Sequence, residues 1–231
     1  MGNRASNSHK KNTIITIDGP SAVGKTTIGI KLSEKLSFIK NKPFLFLDTG
    51  IVYRLAAYLQ KLNNSIPKEE IKNQIEFNVN YEEKYPFLYT EEIALLTSKI
   101  SQQENIRQLL TSSIREKIYE LRLESSVGGF ILTGRDCGTV IFPEADYKFF
   151  LYATPETRAH RRLNQYKQIH PNSKIKFNEI LEKIKQRDFE DTNRKISPLP
   201  PIDNLPPSFI LIITDNLSVE ETIEKMINYI N

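Results

Sequence analysis

The octapeptide Gly19-Pro-Ser-Ala-Val-Gly-Lys-Thr26 constrains this chain more than any other feature. It follows a β-branched run, Thr13 to Asp18 (TIITID), and opens a helix-periodic segment, Thr26 to Leu36. Strand, glycine-bearing turn and helix form the context in which the spacing G-x-x-x-x-G-K-[ST] has a mechanism. The glycines let main-chain N–H groups wrap an anion, and the helix adds its positive end. Lys25 is placed to reach the β- and γ-phosphates of a nucleotide, and the Thr26 hydroxyl to ligate Mg²⁺. The candidate ATP-binding residues are therefore Gly19, Pro20, Ser21, Ala22, Val23, Gly24, Lys25, Thr26 and Thr27. The loop alone does not separate kinases from GTPases or other ATPases.

Beyond the loop, strand-like and helix-like segments alternate. Phe44 to Leu47, Phe130 to Thr133, Lys148 to Tyr152 and Phe209 to Thr214 read as four more strands. Gly50 to Leu62, Pro155 to Gln168, Lys176 to Phe189 and Val219 to Tyr229 read as helices, as does Glu91 to Glu124 with a break near Gln102. Pro67 to Ile75 predicts a short helix. Glu76 to Thr90 predicts a small hairpin, with Phe77, Val79, Phe87 and Tyr89 alternating and Pro86 marking edge strands. The expected fold is α/β: a five-stranded parallel sheet covered by helices on both faces, as in three-layer P-loop NTPases.

Charge and cysteine content narrow the chemistry. The net charge is +4, and Met1 to Asn12 holds Arg4, Lys10 and Lys11 with no acid, so the body is close to neutral and lacks the electrostatic footprint of a nucleic-acid binder. A single cysteine, Cys137, rules out an internal disulfide framework and a cysteine-based zinc site. Apolar stretches such as Phe44 to Leu47 and Phe209 to Ile213 fall far short of a bilayer span, and no signal-peptide core precedes them. A cytoplasmic monomer is expected.

Lysine outnumbers arginine 21 to 11, so lysine is the default surface cation and each arginine is a candidate for work needing its planar fork. Eight of the eleven recur at the positions discussed below: Arg54, Arg107, Arg135, Arg158, Arg161, Arg162, Arg187 and Arg194. With ITIDGPSAVGKTT (Ile14 to Thr27), LDTGIVYR (Leu47 to Arg54), TGRDCGTVIFPEA (Thr133 to Ala145), TPETRAHRR (Thr154 to Arg162) and IKQRDFEDTNR (Ile184 to Arg194), the chain resembles the bacterial cytidylate kinases. These are P-loop nucleoside-monophosphate kinases.

The resemblance implies transfer of the γ-phosphoryl group of Mg·ATP to CMP or dCMP. Beyond a basic tail at 1–12, read from its composition as disordered, it also implies a kinase core at 13–62, 91–153 and 196–231, a monophosphate-binding insertion at 63–90, and a lid at 154–195. Arg54, Arg135 and Arg187 match positions that hold the acceptor phosphate, each with a bidentate N–H pair. Arg158, Arg161 and Arg162 share one face of a lid helix at i, i+3, i+4, with Arg158 and Arg162 expected beside the transferring phosphoryl group. Together with Lys25, Arg135 and Arg187, they are the candidate catalytic residues. Ser98, Arg107, Asp136 and Arg194 fall at cytosine-reading places, and Tyr53 and Asp191 at pentose-reading ones. Thr49 is either an N-cap or an acceptor contact, and Asp48 either caps the second helix or orders water on the metal. Cys137 reads as a packed side chain.

Three features depart from the bacterial pattern. Thr133 stands where an aspartate is usual, so Asp18, Asp48 or Asp136 would have to order the metal's water shell. Tyr53 and Ser98 are only 45 positions apart, which shortens the insertion. Met1-Gly-Asn-Arg-Ala-Ser6 fits an N-myristoylation start, though a disordered leader is the preferred reading. Two rivals remain: a kinase of another small acceptor such as UMP or an alcohol, and a nucleotide-binding interaction protein with a decayed acceptor site.

Overall fold

The computed structural model describes residues 12–124, 126–170 and 174–230, so the tail motif and its basic residues lie outside the described residues. Five strands form one parallel sheet: β1 (Thr13–Asp18), β2 (Phe44–Asp48), β3 (Gly129–Gly134), β4 (Tyr147–Tyr152) and β5 (Ile210–Ile213), in the order β2-β3-β1-β4-β5. The central strand, β1, pairs Asp18 with Gly134 of β3 and with Phe150 of β4, so the carboxyl ends of the three middle strands lie together. Ligands of open α/β sheets bind at that edge.

Period-two alternation decides which helices cover which face. Ile15 and Ile17 join Phe46, Ile131, Phe149 and Leu151 under α1 (Lys25–Lys40) and α9 (Val219–Ile230). Ile14, Leu47, Phe130 and Leu132 face the other way, with α2 (Thr49–Asn63) and α6 (Glu104–Arg122). In α1, Ile28, Leu32 and Leu36 recur every four residues and are buried. Cutting the fully buried Leu32 back to alanine would cost about 2–5 kcal/mol.

The helix α5 (Glu91–Ile100) ends where the break before α6 was expected. α3 (Lys68–Gln74) also forms, but the hairpin does not. In its place stand α4 (Tyr81–Lys84) and a 3₁₀ turn at Pro86–Tyr89. Asn78, at φ 56°, accepts from the Phe46 N–H at 2.7 Å and donates its own N–H to the Phe46 carbonyl at 2.9 Å. This caps the edge of β2 and turns the chain, so Phe77 and Val79 pack against the core from a coil instead of a ladder.

The last pair, α7 (Pro155–Ile169) and α8 (Phe177–Asn193), packs through its own small apolar cluster, Ala159, Ile180 and Ile184, with His160 stacked on Phe177 at 4.3 Å. Among the described residues, no helix is long and apolar enough to cross a membrane.

Candidate active site

A cleft of about 1170 Å³ opens at the carboxyl edge of the sheet, with the phosphate loop on one side and α2, α5, α6, α7 and α8 around it. Gly19 has φ 151°, and a Cβ there would lie 2.3 Å from the Leu151 carbonyl oxygen; Gly24 is left-handed at φ 100°. Only glycine meets both conditions without strain. Gly24 offers no capping side chain, which leaves the first N–H groups of α1 free for an anion. The Lys25 ammonium is buried inside the loop, donating to the carbonyls of Gly19 (2.8 Å) and Pro20 (2.7 Å). Burial, then the charge of Arg135, pulls its pKa well below the ordinary lysine range.

The Thr26 hydroxyl donates to Asp48 at 2.7 Å, while the other Asp48 oxygen accepts from the Gly50 N–H at 3.0 Å. Asp48 is thus a helix cap and a second oxygen beside Thr26. A hydroxyl and a carboxylate at the cleft edge suit Mg²⁺, which keeps most of its waters and takes few protein oxygens. No cluster of three or more metal-binding His, Cys, Asp or Glu side chains exists among the described residues, as a phosphate-bound, hydrated ion would allow. Asp18 does not compensate for Thr133, because it is fully buried and both its oxygens accept main-chain N–H groups. Asp136 faces Arg107 and Arg194, and Asp48 is the carboxylate beside Thr26.

Across the cleft, two carboxylates organise four arginines. Asp136 is ion-paired with Arg107 and lies 3.8 Å from Arg194; Arg107 also donates to the Ser101 carbonyl at 2.9 Å. The Arg107 guanidinium lies 5.3 Å over the Tyr53 ring. The buried Tyr53 hydroxyl and one Arg194 nitrogen have no hydrogen-bond partner, and both residues line the cleft. Asp191 accepts from Arg135 at 2.7 Å and lies 3.4 Å from Arg187. Burial works to raise the Asp191 pKa, but the two guanidinium groups outweigh it and hold the carboxyl below its usual range. Arg54 donates to the Leu88 carbonyl at 2.8 Å and covers the Tyr89 ring at 4.7 Å.

The glycine-bearing loop and the paired arginines thus line one cleft, and the cytidylate kinase family model matches residues 15–231. This chain belongs to the cytidylate kinase family. It is 33% identical to a cytidylate kinase of Mycoplasmopsis pulmonis, over 96% of each chain. It is 34% identical to one of Fervidobacterium nodosum, over 94% of this chain and 95% of that one. A bifunctional pantoate ligase/cytidylate kinase of Prochlorococcus marinus is 34% identical over 96% of this chain, which spans only 43% of that longer protein. Among solved structures, the shikimate kinase of Bacteroides thetaiotaomicron aligns with a TM-score of 0.45 at 15% identity, covering 94% of this chain and 98% of that one. The fold assignment stands on the sheet order and loop described above.

The three arginines of α7 separate in the structure. Arg161 and Arg162 line the cleft; Arg161 donates to Thr214, and Arg162 to Gln165 at 3.0 Å. Arg158 does not line it. Only 1% exposed, it donates to the carbonyls of Ala153 and Ser21, both at 2.9 Å, and to Asp188 at 2.6 Å. Asp188 in turn accepts the Ser21 N–H at 3.3 Å, tying the loop to α8.

Thr49 lines the cleft, but its buried hydroxyl donates to the Thr133 carbonyl at 2.9 Å. Ser98 is half-buried on α5, and the cleft wall there is made by Thr97 and Ser101. Cys137 is fully buried, and burial raises its thiol pKa well above the ordinary value, which fits a packed side chain. Asp188, Ser101 and Ser197 were not foreseen. Ser197, at φ 51°, bridges Arg107 and Arg194 through its hydroxyl and carbonyl. Ser197 lies just beyond Arg194, the last residue of the IKQRDFEDTNR motif.

Proposed function

We propose that this cytidylate kinase transfers the γ-phosphoryl group of ATP to CMP or dCMP, giving ADP and the diphosphate. The observation that carries the reading is the single cleft in which the Lys25 loop faces the Arg135–Asp191–Arg187 and Arg107–Asp136–Arg194 groups. The acceptor brings its own phosphate oxygen as nucleophile, so the obstacle is pressing one polyanion on another, and a general base is unnecessary.

Gly19 to Thr27 would cradle the donor phosphates, with Lys25 leaving the loop carbonyls for them. Mg²⁺ bound with ATP supplies positive charge against the β- and γ-phosphate oxygens, and Thr26 with Asp48 would hold it. Arg54, Arg135 and Arg187 would seat the acceptor phosphate. Arg107, Asp136 and Arg194 would read cytosine, whose edge offers acceptors beside an amino donor. Tyr53 and Asp191 would meet the pentose. A new bond forms from the acceptor oxygen to the γ-phosphorus as the bond to the β–γ bridging oxygen breaks, and ADP leaves with that electron pair.

Within this reading, residues 63–90 form the monophosphate-binding part and 154–195 the lid. Closure of the lid would bring Arg161 and Arg162 over the transferring group, with Arg158 holding the loop from behind, and would exclude water. An acceptor screen with ATP and Mg²⁺ tests it. CMP and dCMP should yield diphosphate far faster than UMP, AMP or GMP. ATP binding without diphosphate from any monophosphate would overturn it in favour of a decayed acceptor site.

A further inference from the structure

Among the described residues, Asp18 is the one fully buried carboxylate that the mechanism leaves without work. It ends β1, immediately before Gly19, and shares a face of that strand with Ile14 and Thr16, pointing away from α1. One oxygen accepts the Cys137 N–H at 2.9 Å and the other the Gly138 N–H at 2.7 Å.

Those two amides open a single wide turn, Cys137–Ile141, in which Val140 and Ile141 donate back to the Asp136 carbonyl and Phe142 to that of Cys137. The first N–H groups of any such turn have no partner within it. Here they are answered from another strand. Directly before them in the chain stand Arg135 and Asp136, which this reading gives to the acceptor.

We infer that Asp18 is a positioning residue for the acceptor, fixing the turn that carries Arg135 and Asp136 to the strand that launches the phosphate loop. The inference rests on the CMP reading above. Two converging N–H groups require two acceptors, which a carboxylate supplies and an amide does not. An asparagine would set its own NH₂ against one of the main-chain donors. Burial pushes the Asp18 pKa up to about 6, the two N–H bonds draw it back, Asp136 adds to the rise, and Lys25 opposes it.

The test is Asp18→Asn beside Ile15→Val, a control on the other face of the same strand. The acceptor KM should rise at least tenfold in Asp18→Asn, with the ATP KM within twofold of the parent. Amide exchange at Cys137 and Gly138 should quicken at least tenfold, while Ile15→Val moves neither. An acceptor KM within twofold of the parent, or an ATP KM rising in step with it, overturns the inference.

Should the parent enzyme turn over no monophosphate, the functional reading fails, and exchange at the two amides alone decides the structural link. Should Asp18→Asn not fold, the parent decides it. Saturating CMP must then slow exchange at Cys137 and Gly138 at least tenfold more than at Ile15, and equal slowing overturns the link.

Discussion

The phosphate loop and the acceptor pocket share one cleft but are held in shape by different means. The loop is built from consecutive residues and closed by main chain, with the Lys25 ammonium on the Gly19 and Pro20 carbonyls and two glycines in conformations other residues avoid. The pocket draws Tyr53 from α2, Arg107 from α6, Asp136 from the turn after β3, Asp191 from α8 and Arg194 from just beyond it. It is closed by ion pairs between side chains far apart in sequence. A main-chain cradle survives the loss of a side chain, whereas a buried ionic network leaves charges stranded when one member goes.

The largest effect tests the loop. Lys25→Ala should lower turnover by about 10²–10³-fold or more while leaving the fold intact. The buried ammonium is a cost to the folded state, as its lowered pKa shows, so its removal should not reduce the melting temperature. Near-normal ADP release in a coupled assay would refute the role given to Lys25.

The pocket should respond in the opposite way. Asp136→Ala leaves Arg107, buried and ion-paired, without its carboxylate, and should destabilise the protein by about 3–5 kcal/mol on urea denaturation. A loss below about 1 kcal/mol would mean that the network is not the frame described here. Asp191→Asn frees Arg135 and Arg187 together and should raise the acceptor KM by roughly tenfold, the worth of one charge-assisted hydrogen bond, with the ATP KM unmoved. Equal shifts in both constants would erase the distinction between the two ends of the cleft.

The same difference explains what could be read from the chain. The loop is legible because its function is a spacing of consecutive residues, and the strands because β-branched and aromatic runs fill a sheet covered on both faces. Motif resemblance picks out the arginines proposed for the acceptor, and Asp136 and Asp191 as base and pentose contacts, but not that these carboxylates pair with those arginines. That Asp188 meets Arg158 and Ser21, or that Ser197 bridges two arginines, depends on how α7 and α8 pack on the loop, which no local pattern encodes. The Glu76 to Thr90 segment misled for a related reason. Phe77 and Val79 alternate as in a strand, yet Asn78 spends its amide and side chain on Phe46 and breaks the run. At the far end of the segment, Phe87 and Tyr89 stay exposed while Leu88 between them is buried, so the alternation there does not mark an inward face.

The smallest effect lies behind the acceptor turn. Arg115 donates to the Ile141 carbonyl at 2.6 Å and pairs with Glu144 at 2.6 Å, bracing from outside the turn that Asp18 holds from within. Burial pulls the Glu144 pKa upward, but the Arg115 fork, a main-chain N–H and the Tyr119 hydroxyl outweigh it and bring it down to about 2. A carboxyl lowered on folding stabilises above its ordinary pKa and loses that contribution as pH falls through the folded value. Asp18, raised to about 6, runs the other way: its protonated form is favoured by folding, so stability attributable to it is present at low pH and lost as pH rises through about 6. The Glu144 side chain is 40% exposed, so screening limits its share to under about 1 kcal/mol. The difference in melting temperature between parent and Glu144→Gln should therefore be small and constant at pH 5–7 and shrink as pH approaches about 2. A difference that grows on acidification would show that Glu144 is not held as an ion by Arg115, and that the turn depends on its inner carboxylate alone.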